Sequence, residues 1–140
     1  MKSKLMMIVA GTVSALGIAA VAVPALAHHS FSAEFDRNKV VKLEGTVIEM
    51  EWVNPHSWLH INVVNTQGVA EEWKVEGGSP AVLLRLGWTR DTLPAGTKVV
   101  VNGFQAKDGS LRANSTSIEF PDGHKLSTGS SSDRDPRNQQ

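Results

Sequence analysis

The chain carries five histidines and no cysteine. His28 and His29 are adjacent, and His56 and His60 stand close together in "NPHSWLH". Imidazole nitrogen ligates Cu(II), Ni(II) and Zn(II), and a nitrogen-rich site without sulfur suits Cu(II) first. His28, His29, His56 and His60 are therefore the candidate metal ligands, and copper is the cofactor they would take. Without cysteine, disulfides and thiolate metal sites are excluded. A second set gathers around His60. Trp58, Glu51 and Lys74 offer an aromatic face, an acid and a base, which together suit a small ligand.

What His28 can do depends on the segment ahead of it. Lys2 and Lys4 give a positive start, residues 5–23 are almost wholly apolar, Pro24 breaks the run, and Ala25-Leu26-Ala27 is an A-x-A cleavage site. Segment 1–27 is expected to be a secretory signal peptide. The apolar run is nearly long enough to span a membrane, but the A-x-A site and the small residues favour removal. Cleavage after Ala27 frees the α-amine of His28. That amine and the His28 ring could then chelate one ion together, as in a histidine brace, with His29, His56 or His60 completing the site. The plain alternative is two polar residues at a flexible terminus. The expected location is the periplasm, with no permanent membrane span after cleavage.

Charge narrows the partners. Acidic and basic residues balance at 14 each, and the removed segment takes away Lys2 and Lys4 but no acid. A near-neutral chain lacks the basic face that nucleic acid needs and the polybasic stretch that holds a protein on anionic lipid. An enzyme is not expected. There is no cysteine nucleophile, no tyrosine and no Gly-x-Ser-x-Gly elbow. Glu49 and Glu51 stand two apart, as any polar strand face would place them.

The elements that must position these residues are mostly strands. "VVKLEGTVIEMEWVN" reads as one long strand bent at Gly45, followed by "SWLHINVVN", the turn "NTQG", and "VAEEWKVE". In "GGSPAVLLRLGW" the period changes: Ser79 suits an N-cap, Pro80 the first turn and Gly87 the stop, giving a short helix over 79–86. With no Lys or Arg between Gly77 and Arg85, "GGSP" is a tight turn rather than an anion site. "TKVVVNGFQA" and "LRANSTSIEF" are the fourth and fifth strands, joined by the turn "KDGS", and "PDGH" leads into a short strand. His124 in that turn should face solvent.

Three strands, a helix and two strands is the order of an all-β, five-stranded OB-like barrel. A small β-sandwich or a lipocalin-like half barrel is the alternative. The expected organisation is a signal peptide at 1–27, a lead-in segment at 28–38, the barrel domain at 39–126 and a disordered tail at 127–140 without apolar residues. Leu43, Ile48, Met50, Leu59, Ile61, Val63, Trp73, Val75, Leu83, Val99 and Val101 should be buried.

Asn54-Pro55-His56-Ser57 suits a four-residue type I turn between the first two strands. That turn would set Val53 opposite Trp58, Glu51 opposite His60, Met50 opposite Ile61 and Ile48 opposite Val63. His56 would sit at the tip and Trp58 would face outward. In the plainer alternative, Glu51–His60 is an ordinary surface pair and the lead-in segment covers Trp58 with Phe31 and Phe35.

"HHSFSAEFD", "EWVNPHSW", "EGGSPAVLLRLGW" and "GFQAKDGSLRAN", in that order, resemble DUF6152, a family of exported bacterial proteins without an assigned activity. The resemblance runs from about His28 to Lys125. It implies export and a small β-rich domain, and it supplies no catalytic residues. The functions that remain are metal binding through the histidines, a non-metal envelope module binding a saccharide, small molecule or protein on the Trp58/His60 face, and an assembly partner using an exposed strand edge.

Overall fold

A computed structural model describes residues 31–134. Segment 1–27, expected to be a signal peptide, and both opening histidines, His28 and His29, lie outside the described residues, as does the chain after 134. The described elements are β1 (Phe35–Glu51), β2 (Trp58–Val64), β3 (Ala70–Glu76), α1 (Pro80–Arg85), β4 (Lys98–Ala106), β5 (Arg112–Glu119), β6 (Lys125–Ser127) and a 3-10 turn at Ser131–Arg134. Residues 31–34 form a helical turn before β1. The protein is all-β: one mostly antiparallel sheet ordered β3-β2-β1-β4-β5-β6, with β3 also pairing parallel to β5.

β1 serves two neighbours in succession. Val40 to Thr46 pair with β4, and Thr46 to Glu51 pair with β2. The handover falls at Thr46, beside Gly45, where a Cβ would stand 2.9 Å from the Asn62 carbonyl oxygen. Only a residue without a side chain lets the strands approach this closely. One step later the register slips between Val47 and Glu49, a β-bulge.

The core follows the alternation of β2 and β3. Leu59 faces Val75 and Ile61 faces Trp73, and all four are buried with Leu43, Val47, Val99, Val101 and Ile118. Burying such side chains stabilises by about 1.5–3 kcal/mol each. Met50 and Val63 are only half-buried against this core, and Ile48 is 41% exposed, contrary to the alternation. The bulge explains Ile48: the extra residue has no partner across the ladder and turns outward.

α1 forms as its punctuation dictates. Ser79 has extended backbone and its Oγ accepts a hydrogen bond from the Val82 amide, Pro80 opens the helix, and Leu83 is buried. Its end is a Schellman motif: the Gly87 amide bonds the Leu84 carbonyl, the Trp88 amide bonds the Leu83 carbonyl, and Gly87 has φ +91°. Trp88 is buried and donates from Nε1 to the Ser127 carbonyl at 2.8 Å.

Two expected boundaries move. β1 begins at Phe35, inside the expected lead-in. Phe31 and Phe35 are buried against Ala106 and Phe104, not over Trp58. The tail is ordered from Ser127 through Ser132: Ser127 ends β6, and Thr128, Ser130 and Ser132 are buried. Hydrogen bonds rather than apolar area hold it. The Gly78 amide bonds the Thr128 carbonyl, Thr128 Oγ1 bonds the Ser115 carbonyl, and Ser130 Oγ bonds Asn114 Oδ1 at 2.8 Å. Gly78 is required here, because a Cβ would lie 2.7 Å from the Gly129 oxygen.

Candidate functional site

The outward side of β1, β2, β3 and β5 carries two rows of polar residues. One runs Glu51, Trp58, Glu76, Asn114 and the other Glu49, His60, Lys74, Arg112. Neighbours in a row stand about 4.8 Å apart across the ladder. The bulge creates the second row: past it Glu49 faces His60, while Glu51 faces Trp58.

This corrects the expected register. The connection between β1 and β2 spans 52–57, longer than the expected four-residue turn, and its Asn54–Pro55 peptide is cis. Glu51 pairs with Trp58 rather than His60, Met50 with Leu59 rather than Ile61, and Val47 rather than Met50 faces Ile61. A two-residue slip preserves the face. Glu51 and His60 are therefore still neighbours, now diagonally, with Oε1 and Nε2 3.3 Å apart.

His60 is the centre of the group. It is buried, 9% exposed, although it lies on the outward side. Its Nδ1 lies 2.8 Å from Glu72 Oε1, so Glu72 can fix the ring by accepting the Nδ1 proton. Its Nε2 is buried and makes no hydrogen bond: the 3.3 Å approach of Glu51 is within ion-pair range but not aligned as a hydrogen bond. Glu49, Glu51 and His60 each offer a ligand atom, all within 4.8 Å of one another. Lys74 stands beside them, its Nζ 3.8 Å from Glu51 Oε2 and 5.0 Å from the centre of the Trp58 ring.

His56 does not join this group. Its Nδ1 meets Glu76 Oε1 at 2.7 Å instead, with His56 about one-third exposed and Glu76 buried. Burial, and then the nearby negative charge of Glu34, push the Glu76 carboxyl up to about 7, opposed by Arg112 and by a hydrogen bond from Asn114. His124 pairs with Asp122 in its turn, half exposed and away from both groups.

Of the residues singled out by sequence, the structure gathers Glu51, Trp58, His60 and Lys74 and sets His56 apart. Glu49, Glu72 and Glu76 were not anticipated as site residues. A signal for Glu72 existed, since the "NTQG" turn sets Asn62 opposite Glu72 and brings Glu72 to the flank of His60. A separate open groove of about 640 Å³ lies elsewhere, lined in part by Glu44, Gly45, Lys98 and Phe120. Among the described residues no helix is long and apolar enough to cross a membrane.

Residues 6–116 match DUF6152, a family of unknown function. The chain belongs to that family. No curated protein and no solved structure matches it.

Proposed function

We propose that this DUF6152 protein is an exported binding module. Its fold would be an OB-type barrel, and its recognition surface the outward face of β1, β2 and β3. The barrel proposal is supported by the run of pairings β1–β2–β3–β5–β4–β1, which returns to its start. OB barrels bind ligands across strands two and three, where Trp58, His60 and Lys74 stand. The observation that carries the proposal is the meeting of Glu51, Trp58, His60 and Lys74 at one spot around a buried imidazole. Burying a polar ring on a sheet's outer side is costly unless it is paired.

Two measurements test this. N-terminal sequencing of protein from a periplasmic fraction should begin at His28. Amide NMR with a panel of simple sugars, carboxylates and short peptides should shift Glu51, Trp58, His60 and Lys74. Shifts confined to the groove at Glu44, Lys98 and Phe120 would overturn the assignment of the face.

A Cu(II) site at the mature N-terminus is the second reading, with one favouring observation. Glu34 lies 3.6 Å from Arg112 and acts electrostatically on Glu76, the partner of His56. Glu34, six positions after His28 in sequence, thus lies close enough to sense the His56–Glu76 pair, and His56 is the histidine that could complete a site with the His28 amine and ring. Cu(II) affinity should fall when one residue is added ahead of His28. Equal affinities would leave His28 an ordinary first residue.

A further inference from the structure

The unmatched nitrogen of His60 points to more than a solute-binding face. We propose that Glu49, Glu51 and His60 form a divalent-cation site suited to Zn(II), with Glu72 as a positioning residue behind the imidazole. The proposal rests on the recognition face described above and names what that face holds.

Four observations converge. The first is the ring's orientation. With its Nδ1 proton given to Glu72, His60 presents Nε2 as a lone pair. Carboxylate–histidine pairs of this kind orient metal-binding imidazoles and raise their basicity. The second is what Nε2 faces. It is buried, makes no hydrogen bond, and looks toward the Glu51 carboxylate at 3.3 Å. A lone pair held against an anion is repulsive, and a cation between them reverses the sign.

The third observation is spacing. A tetrahedral zinc with bonds of about 2.0–2.1 Å holds its ligand atoms about 3.3–3.4 Å apart. The 3.3 Å separation of His60 Nε2 and Glu51 Oε1 already has that length. Glu49 completes the triangle within 4.8 Å, and its exposed carboxylate is free to close the remaining distance. One imidazole and two carboxylates leave a fourth position open, the pattern of zinc sites that take water or an external ligand. The fourth is charge. Glu49, Glu51 and Glu72 face one ammonium, that of Lys74. The excess of two negative charges is what a divalent ion neutralises. The bulge between Val47 and Glu49 is what puts both acids on the His60 side, and bulges often re-aim side chains next to functional sites.

The test is calorimetric titration of the chelator-stripped native chain with zinc chloride. One zinc should bind per chain. His60→Ala should weaken binding by about 100-fold or more and Glu72→Gln by about 10–100-fold, the range for the partner of a ligating histidine. Glu49 is exposed, so Glu49→Gln leaves the fold intact and should still weaken zinc at least about tenfold if it is a ligand. His124→Ala should change nothing, and neither should one residue added ahead of His28. X-ray absorption of the zinc complex should show a single imidazole among oxygen ligands.

Absence of stoichiometric zinc would overturn the cation site. So would native affinity in both His60→Ala and Glu49→Gln, or loss of binding only on extending the N-terminus. The solute panel separates the two proposals. If zinc fails while sugars, carboxylates or peptides still shift Trp58 and Lys74, the cation site falls and the recognition face stands. If the panel shifts only the groove at Glu44 and Phe120, the recognition face falls.

Discussion

Two histidine–glutamate pairs share one face of the sheet with their burial reversed. At His60 the imidazole is buried, and the carboxylates of Glu51 and Glu72 are 37% and 62% exposed. At His56 the imidazole is 36% exposed and the Glu76 carboxylate is buried. The difference decides what each pair can do. A buried imidazole held by Glu72 and flanked by the more exposed acids Glu49 and Glu51 can admit an ion between them. A buried acid capped by a partly exposed imidazole leaves no such opening. Its dominant feature is a buried carboxyl that resists ionisation, which makes it a pH-sensitive part of the framework.

The largest expected effect separates the two histidines by metal. Zinc at a hundredfold excess over Kd should stabilise the native chain by about 2.7 kcal/mol, by mass action on the folded state. His56→Ala should keep that increment and His60→Ala should lose it. Thermal unfolding with and without zinc reads both. Equal protection of the two variants would erase the functional contrast.

The next effect belongs to Glu76. Its folded carboxyl is raised from 4.5 to about 7. A raised acid binds protons more tightly in the folded state. Its contribution to stability is therefore full below about 4.5 and is lost as pH rises through about 7. Replacing it with Gln keeps the shape and removes the ionisation. Glu76→Gln should flatten the pH dependence and exceed the native chain in stability at pH 8, by about 1–2 kcal/mol. Denaturant midpoints of both proteins across about pH 4 to 8 give the answer, and a native curve no steeper than that of the variant would contradict it.

The face of His60 was legible in the sequence and its register was not. Alternation in β2 and β3 identifies Leu59, Ile61, Trp73 and Val75 as core, and so identifies Trp58, His60 and Lys74 as outward. The signals at Ser79, Pro80 and Gly87 locate α1 because each acts through local backbone chemistry. A bulge has no such marker. Ile48 looks like any apolar strand residue, and only pairing with β2 reveals that it is the extra one. A four-residue turn at 54–57 would put Glu51 opposite His60, whereas the longer connection puts Glu49 there. The ordered tail escaped for another reason. Thr128, Ser130 and Ser132 are buried through hydrogen bonds, and hydrophobicity carries no record of that.

That tail sharpens the comparison from the side of His56. Ser130 bonds Asn114, and Asn114 in turn bonds Glu76 and lowers its proton affinity. Asn114→Ala should raise the Glu76 carboxyl further and cost about 1 kcal/mol at neutral pH, the usual worth of a hydrogen bond. Zinc binding should be unchanged, since Asn114 lies in the row of Trp58 and Glu76 rather than that of His60. NMR titration of the Glu76 carboxyl, run beside a zinc titration, checks both statements.

The smallest effect falls on the residue between the pairs. Lys74 holds its ammonium 5.0 Å from the Trp58 ring centre and 3.8 Å from Glu51. It is about 40% exposed, so its pairing with Glu51 is screened by solvent and worth at most about 0.5–1 kcal/mol, as is the contact with the ring. Lys74→Met keeps the stem over Trp58 and removes only the charge. Stability should fall by about 0.5 kcal/mol. Zinc affinity should move the other way and rise by about two- to fivefold, because a competing cation leaves Glu51 and the site becomes more negative. The gain should shrink as salt is raised, since exposed charges are screened beyond about 10 Å at 0.1 M. Weaker zinc binding in Lys74→Met would instead make Lys74 a support of the site, and the charge excess around His60 would no longer account for its affinity.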